Sequence, residues 1–446
     1  MGKLLIENGT IVNRGQRFAG YIEVDGEKIV AVGEGAYPAC HFRGERINAA
    51  GCLVMPGVID DQVHFREPGL TYKGDIHSES VAAVAGGITS YMEMPNTRPP
   101  ATTIDLLEWK YSRAAETSVA NYSFYLGATN DNIEEIRKIN TRRVCGLKVF
   151  MGSSTGNMLV DDESALAAIF AEAPVVIATH CEDEATIRRN MESFREKYGN
   201  SLTVDMHPLI RSAEACYRSS AKAVELAGKY GADLHILHLS TERELSLFES
   251  KPLAEKKITN EACVHHLWFS DVDYAAKGNF IKWNPAIKTD VDRAALRYGI
   301  LDGKVDIVAT DHAPHTLEEK RQPYLDAPSG GPLVQHSLVA MLEMCRQGTF
   351  TPEQVVEKMC HAPAVRFRVK ERGFLDEGLY ADIIIVRPGQ DWRVKPENIL
   401  YKCGWSPFEG ETFTHAVTHT IINGAVVYSG GRVDISFRGK RLEFER

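Results

Sequence analysis

The sequence predicts an α/β chain, a (β/α)8 TIM-type barrel carrying a small β-sandwich built from both termini. Three features point there: eight short apolar, β-branched runs, longer helix-like segments between them, and a turn-rich strand texture at each end. The runs lie at 58–64, 88–94, 120–126, 144–150, 175–180, 234–239, 258–264 and 305–311. Eight parallel strands with interposed helices specify a closed barrel, whose working residues gather at the C-terminal ends of the strands. His64, Lys148, His180, His238 and Asp311 stand at or just before the ends of runs one, four, five, six and eight.

Outside the barrel, 3–32 reads as short strands broken at Asn8-Gly9 and Asp25-Gly26, and 381–432 repeats that texture around Asn423-Gly424 and Gly430-Gly431. We therefore expect 1–54 plus 376–446 to form one composite β-sandwich domain, with the (β/α)8 barrel over 55–375. Near the end of the chain, Arg438, Lys440, Arg441 and Arg446 alternate with acidic and apolar residues and read as a solvated strand end.

Composition narrows the function. With 446 residues and 44% hydrophobic content, the chain can bury a large core. A formal charge of −9 with dispersed Lys and Arg argues against a nucleic-acid partner. No run of eighteen apolar residues occurs, and polar residues arrive too early for a signal peptide, so neither a membrane partner nor secretion is expected. Nine cysteines contain no Cys-x-x-Cys pair and read as free thiols in a reducing cytoplasm. A metal site here must therefore rest on nitrogen and oxygen ligands.

Zinc accepts imidazole nitrogen and carboxylate oxygen, and a two-metal site needs an anion bridging the ions. Lys148 is the candidate bridge: a lysine at an inward strand end is a costly buried cation, and reaction with carbon dioxide converts it to a carbamate with two oxygens. His180 and His238 would complete one site, and His64 with Asp311 the other, for one or two zinc ions per chain. Each residue alone has a plainer reading. A lone barrel histidine is often a hydrogen-bonded core residue, and an Asp before a His often caps a helix. Five such residues at one end of five strands favour the metal reading. His265-His266, His41, His207, His415 and His419 lack that context and read as structural or surface residues.

The stretches His64-Phe65-Arg66-Glu67-Pro68-Gly69, Met94-Pro95-Asn96-Thr97, Gly146-Leu147-Lys148, Trp283-Asn284-Pro285 and Thr310-Asp311-His312-Ala313-Pro314-His315 resemble the amidohydrolase superfamily. Within it, they resemble the dihydroorotases of the larger microbial type, over nearly the whole length. The resemblance implies a small-molecule substrate and the reversible closure of N-carbamoyl-L-aspartate to L-dihydroorotate in pyrimidine biosynthesis. Asp311 would take a proton from the attacking water and return it to the leaving nitrogen. Arg66 offers a planar fork for the substrate carboxylate. By the same resemblance Asn96 and His315 would share that carboxylate, and Asn284 would bond the ring. Asn96 equally fits a simple turn, Asn284 a loop before Pro285, and Arg66 with Glu67 a surface ion pair. The glycines of 328–332 suit backbone contact with substrate and equally a flexible loop.

Gln62 departs from the pattern, standing where the first imidazole of a His-x-His pair is expected. Strand alternation puts Gln62 and His64 on one face, with Asp60 a layer below. A neutral amide oxygen is the weaker zinc donor, so unequal metal affinities follow. Two other readings stay open: a hydantoinase- or allantoinase-type cyclic amidohydrolase, and a catalytically silent dihydroorotase homologue acting as a structural partner of aspartate carbamoyltransferase. The resemblance also admits a homo-oligomer.

Overall fold

The computed structural model describes residues 2–38, 42–152, 158–199 and 201–446. All eight expected runs form barrel strands: Val58–Val63, Ile88–Glu93, Asn121–Phe124 continued by Leu126–Gly127, Leu147–Phe150, Ile177–His180, Leu234–Ile236, Ile258–Cys263 and Ile307–Ala309. Neighbours pair in parallel. The ring closes where the His64 amide donates to the His312 carbonyl at 2.7 Å and Val63 bridges His312. Several helices of the outer layer start at a capped turn: Asp75, Thr103, Asp162, Asp183 and Ser212 each accept a hydrogen bond from an amide in the first turn.

Alternation along the strands divides the apolar residues. Val58, Ile88, Leu147, Ile177 and Leu234 belong to the main core, with helix residues such as Leu107, Leu166 and Ala223. Ile59, Met92, Tyr125, Val176, Leu237 and Ile307 form a separate cluster, sealed by Phe367, Leu442 and Phe444. That seal corrects the reading of the C-terminal segment as solvated. Leu442 and Phe444 are buried, Arg441 bonds Glu108 at 2.7 Å and lies over the Tyr111 ring at 3.4 Å, and Arg446 donates to the Cys145 carbonyl at 2.6 Å. The charged residues frame two apolar side chains that fill the barrel floor.

Several strands stop short of their predicted ends. His238 and Asp311 take left-handed backbone conformations, with φ of 42° and 47°, which a parallel ladder does not accommodate. Alternation also fails in the first strand, where pairing with the second is irregular between Asp60 and Val63. Asp60 accordingly accepts from Thr310 Oγ1 at 2.6 Å, and Asp61, rather than Asp60, reaches the barrel interior and lies 3.3 Å from His235.

The termini meet in one nine-stranded sheet. Lys3–Asn13 pairs with Leu53–Pro56, which pairs in turn with Ile383–Arg393. This sheet has its own core, where Leu4, Ile22 and Ile29 pack with Ile383, Ile385 and Ile421. Asp25-Gly26, Asn423-Gly424 and Gly430-Gly431 are hairpin turns, as expected. Asn8-Gly9 is not a reversal: the chain runs on through it as an irregularity in the first strand of the sheet, with Asn8 at φ 64°. Eight of the nine cysteines are described, all free; Cys40 and His41 lie outside the described residues. Among the described residues no helix is long and apolar enough to cross a membrane.

A buried ion pair ties the second strand to its helix. Glu93 and Lys110 are both about 1% exposed or less, and Glu93 also accepts from the Phe65 amide at 3.1 Å. Glu93→Ala strands the Lys110 ammonium in the core, and denaturant unfolding should show a loss of about 3–5 kcal/mol. Replacing both partners by apolar residues should cost less than the single change.

Candidate active site

A cavity of 310 Å³ opens at the C-terminal ends of the strands. Its wall contains all ten positions singled out from the sequence: Gln62, His64, Arg66, Asn96, Lys148, His180, His238, Asn284, Asp311 and His315. Phe150, Trp283, Ala313 and the segment 328–330 complete it.

Hydrogen bonds on the far ring nitrogens orient two of the imidazoles. His64 Nδ1 donates to Asn96 Oδ1 at 2.8 Å, which leaves Nε2 a bare lone pair 3.1 Å from Asp311 Oδ1. His180 Nε2 donates to Glu182 at 3.0 Å, so its Nδ1 lone pair faces His238 Nε2, also at 3.0 Å. His238 Nδ1 is buried with no partner. Burial pushes all three imidazoles below their ordinary values, so they stay neutral at physiological pH, the form that coordinates metals. Lys148 is buried as well. Desolvation brings its ammonium down to about 8, and Nζ lies 4.6 Å from the Phe150 ring centroid.

Gln62 stands beside this group, yet it turns its amide nitrogen toward Asp311 Oδ1 at 3.2 Å and its oxygen toward Cys263 Sγ at 3.7 Å. In this orientation the amide donates to the carboxylate.

On another wall Arg66 is buried, not part of a surface ion pair with Glu67. Its φ is 70°, its Nε donates to the Pro314 carbonyl at 3.0 Å, and Nη2 is 3.1 Å from His315 Nε2. Glu67 instead pairs with Arg113 at 2.7 Å. His315 donates from Nε2 to the Ser329 carbonyl at 3.0 Å, so Nδ1 accepts from Lys73 at 2.9 Å. Burial, with Arg66 beside it, holds this imidazole well below its usual value. Asn284 Oδ1 accepts from His207 Nε2 at 3.1 Å, and His207 also meets the Trp283 carbonyl and the Tyr324 hydroxyl.

Sequence reasoning missed the supports. Lys73, Glu182 and His207 each lie one contact behind a wall residue, and Arg211 stands behind Glu182. Glu182 carried a signal, being a carboxylate two residues past His180 at the end of a barrel strand. His265 and His266, read as structural or surface residues, are both buried, and His265 stacks on Trp283 with centroids 4.4 Å apart.

Residues 53–427 match the model of the amidohydrolase family. A dihydroorotase of Halobacterium salinarum is 33% identical over 431 residues, spanning 94% of this chain and 96% of the relative. A dihydroorotase of Methanothermobacter thermautotrophicus is 31% identical, spanning 92% and 91%. Among solved structures, an L-hydantoinase (dihydropyrimidinase) of Arthrobacter aurescens superposes with a TM-score of 0.92 at 27% identity, covering 97% of each chain. A dihydropyrimidinase of Brevibacillus agri shares the fold, with a TM-score of 0.88 at 22% identity and full coverage of both chains.

Glu182 generates a pH prediction. Burial alone would raise this carboxyl, but Arg211 and His180 outweigh it and hold it far below the usual carboxylate range. A depressed folded value contributes stability present above the unfolded value of about 4.3 and lost as the pH falls through the folded one. Arg211→Met removes the main opposing charge, so the Glu182 carboxyl should rise above its unfolded value. The variant should then lose stability as pH increases from 5 to 8, where the parent gains or holds it. Urea titrations at the two pH values read the sign.

Proposed function

Since the chain belongs to the amidohydrolase family, we propose that it is a zinc-dependent cyclic amidohydrolase of the dihydroorotase type. It would interconvert L-dihydroorotate and N-carbamoyl-L-aspartate in pyrimidine biosynthesis. One observation carries this reading: a single cavity sets coordinating imidazoles and Asp311 against a buried arginine–histidine pair suited to a carboxylate.

The donor set fits a divalent metal. The His180 Nδ1 lone pair faces His238 Nε2, and the His64 Nε2 lone pair faces the Asp311 carboxylate. The His64–Asp311 contact joins two acceptors and is unfavourable unless a proton or a cation lies between them. We assign His180 and His238 to one ion, His64 and Asp311 to the other, with Gln62 at most a weak ligand, and Lys148 as a carbamate between them. The depressed Lys148 value supports that modification, because carbon dioxide adds to the neutral amine. When bound, zinc polarises the ring carbonyl and makes water a nucleophile at neutral pH.

The remaining roles belong to side chains. Asp311 takes the proton from water and delivers it to the ring nitrogen as the amide bond breaks; in ring closure it does the reverse. Arg66 and His315 hold the substrate carboxylate. Asn96 has its oxygen committed to His64, so its amide N–H groups are the part available to substrate. Asn284, anchored by His207, bonds the ring. Phe150 and Trp283 give the cavity its apolar walls. All these residues fall within the barrel, which we place at 55–375, with 1–54 and 376–446 as its scaffold.

The resemblance to the L-hydantoinase structure also fits a second reading, a hydantoin-type ring as substrate. Arg66 opposes it, because a ring without a carboxylate leaves a buried guanidinium with no anion to meet.

Three measurements test the proposal. Freshly purified protein should hydrolyse dihydroorotate in preference to hydantoin and allantoin, lose activity on chelation and regain it with zinc. Preference for hydantoin would transfer the assignment to the second reading. Zinc-loaded but inactive protein would point to a silent homologue, for which contact with aspartate carbamoyltransferase becomes the function to examine. Arg66→Ala should raise KM by about 30-fold or more, the equivalent of about 2 kcal/mol, with the smaller effect on kcat. Asp311→Ala should lower kcat by about 10²–10⁴-fold with zinc partly retained.

A further inference from the structure

Below the cavity, toward the N-terminal ends of the strands, lies a second convergence of ligating groups. Asp61 on the first strand, His235 on the sixth and Glu261 on the seventh are fully buried. The first and sixth strands are not neighbours in the ring, so the contact between Asp61 and His235 crosses the barrel interior. His235 Nε2 lies 3.1 Å from Glu261 Oε2 and 3.3 Å from Asp61 Oδ2.

The Thr259 hydroxyl donates to the Leu234 carbonyl at 3.3 Å, so it accepts from His235 Nδ1 at 2.8 Å. The neutral ring then carries its proton on Nδ1, and the Nε2 lone pair points at two carboxylates. Glu261 Oε1 is engaged by the His238 amide at 3.2 Å, which turns Oε2 toward the cluster. Both side-chain oxygens of Asp61 are buried without a hydrogen-bond donor, although its main-chain carbonyl accepts from the Tyr125 hydroxyl at 3.0 Å. Three lone-pair donors thus face one another in a water-excluded core, an arrangement stabilised only by a cation or added protons. Separations of 3.1 to 3.3 Å suit ligands of one ion at bond lengths of about 2.0–2.2 Å.

We propose that Asp61, His235 and Glu261 form an interior site for a divalent ion of zinc type, separate from the cavity. It goes beyond the proposed function, because none of its ligands lines the cavity. Closed off from substrate, the ion would be structural. It would fasten the first, sixth and seventh strands together directly behind Gln62 and His238. The strand that sets the amide of Gln62 at the cavity would thereby offer the interior the carboxylate of Asp61.

The test uses zinc alone. Crystals of the zinc-loaded full chain, measured on both sides of the zinc absorption edge, should show an anomalous peak within bonding distance of Asp61, His235 and Glu261. The isosteric Asp61→Asn variant should lose one zinc per chain and that peak, while peaks in the cavity persist. A water or no density at the interior position in the zinc-loaded parent would overturn the proposal. So would an Asp61→Asn variant with unchanged zinc content. Should that variant fail to fold, the map of the parent decides alone. Failure of the dihydroorotase reading would appear separately, in turnover with the interior peak present.

Discussion

The seam between the first and eighth strands is the constraint on which the rest depends. Closing a barrel fixes the register of its last strand against its first, and here His312 holds that register by several bonds at once. Its carbonyl accepts the His64 amide at 2.7 Å, its Nε2 donates to Glu79 at 2.9 Å, and its Nδ1 accepts the Leu333 amide at 2.9 Å. Asp60 adds a bond from Thr310 across the same seam. The register brings Gln62 and His64 within 3.2 Å of Asp311, although 249 and 247 positions separate them in the chain. The cavity chemistry, whatever its substrate, is built on that juxtaposition.

Much of this was legible in the sequence, for definite physical reasons. Strand runs buried on both faces are conspicuous as β-branched stretches, so all eight were found and the ligand-type side chains at their ends could be placed in one cavity. Local backbone geometry was less legible. Period-two alternation put Asp60 below Gln62, but one irregularity in pairing gives that place to Asp61. Asn8-Gly9 has the composition of a turn and forms a kink inside a strand instead. Partners far apart in the chain left almost no trace. Nothing in the sequence links Glu182 to Arg211 or Lys73 to His315, since the first contact forms only when the long connection after strand five folds back on itself and the second only when the loops after strands one and eight meet. The last residues were misread because their charges are more conspicuous than Leu442 and Phe444, the two side chains that determine where the segment goes.

Gln62 acquires a different meaning in three dimensions. As a bare substitution it suggests a weakened site. In place, its amide links Asp311 to Cys263 through its two ends and fills the volume between the cavity and the layer beneath. A group that donates to Asp311 also helps to fix that carboxylate in orientation. Loss of a ligand and retention of an ordered carboxylate are therefore compatible at one position.

The left-handed backbones at Arg66, His238 and Asp311 have a consequence for altering this protein. Eight non-glycine residues among those described adopt such a conformation, and three of them line the cavity. At these positions the main chain itself restricts the choice of residue, since most side chains raise the energy of that conformation by about 1–3 kcal/mol and β-branched ones fit it worst. Libraries that randomise every wall position would spend much of their diversity on chains that fold poorly. Variation confined to Phe150, Ala313, Pro328 and Ser329, where no such backbone limit applies, leaves the stressed scaffold intact and reshapes the cavity mouth around it.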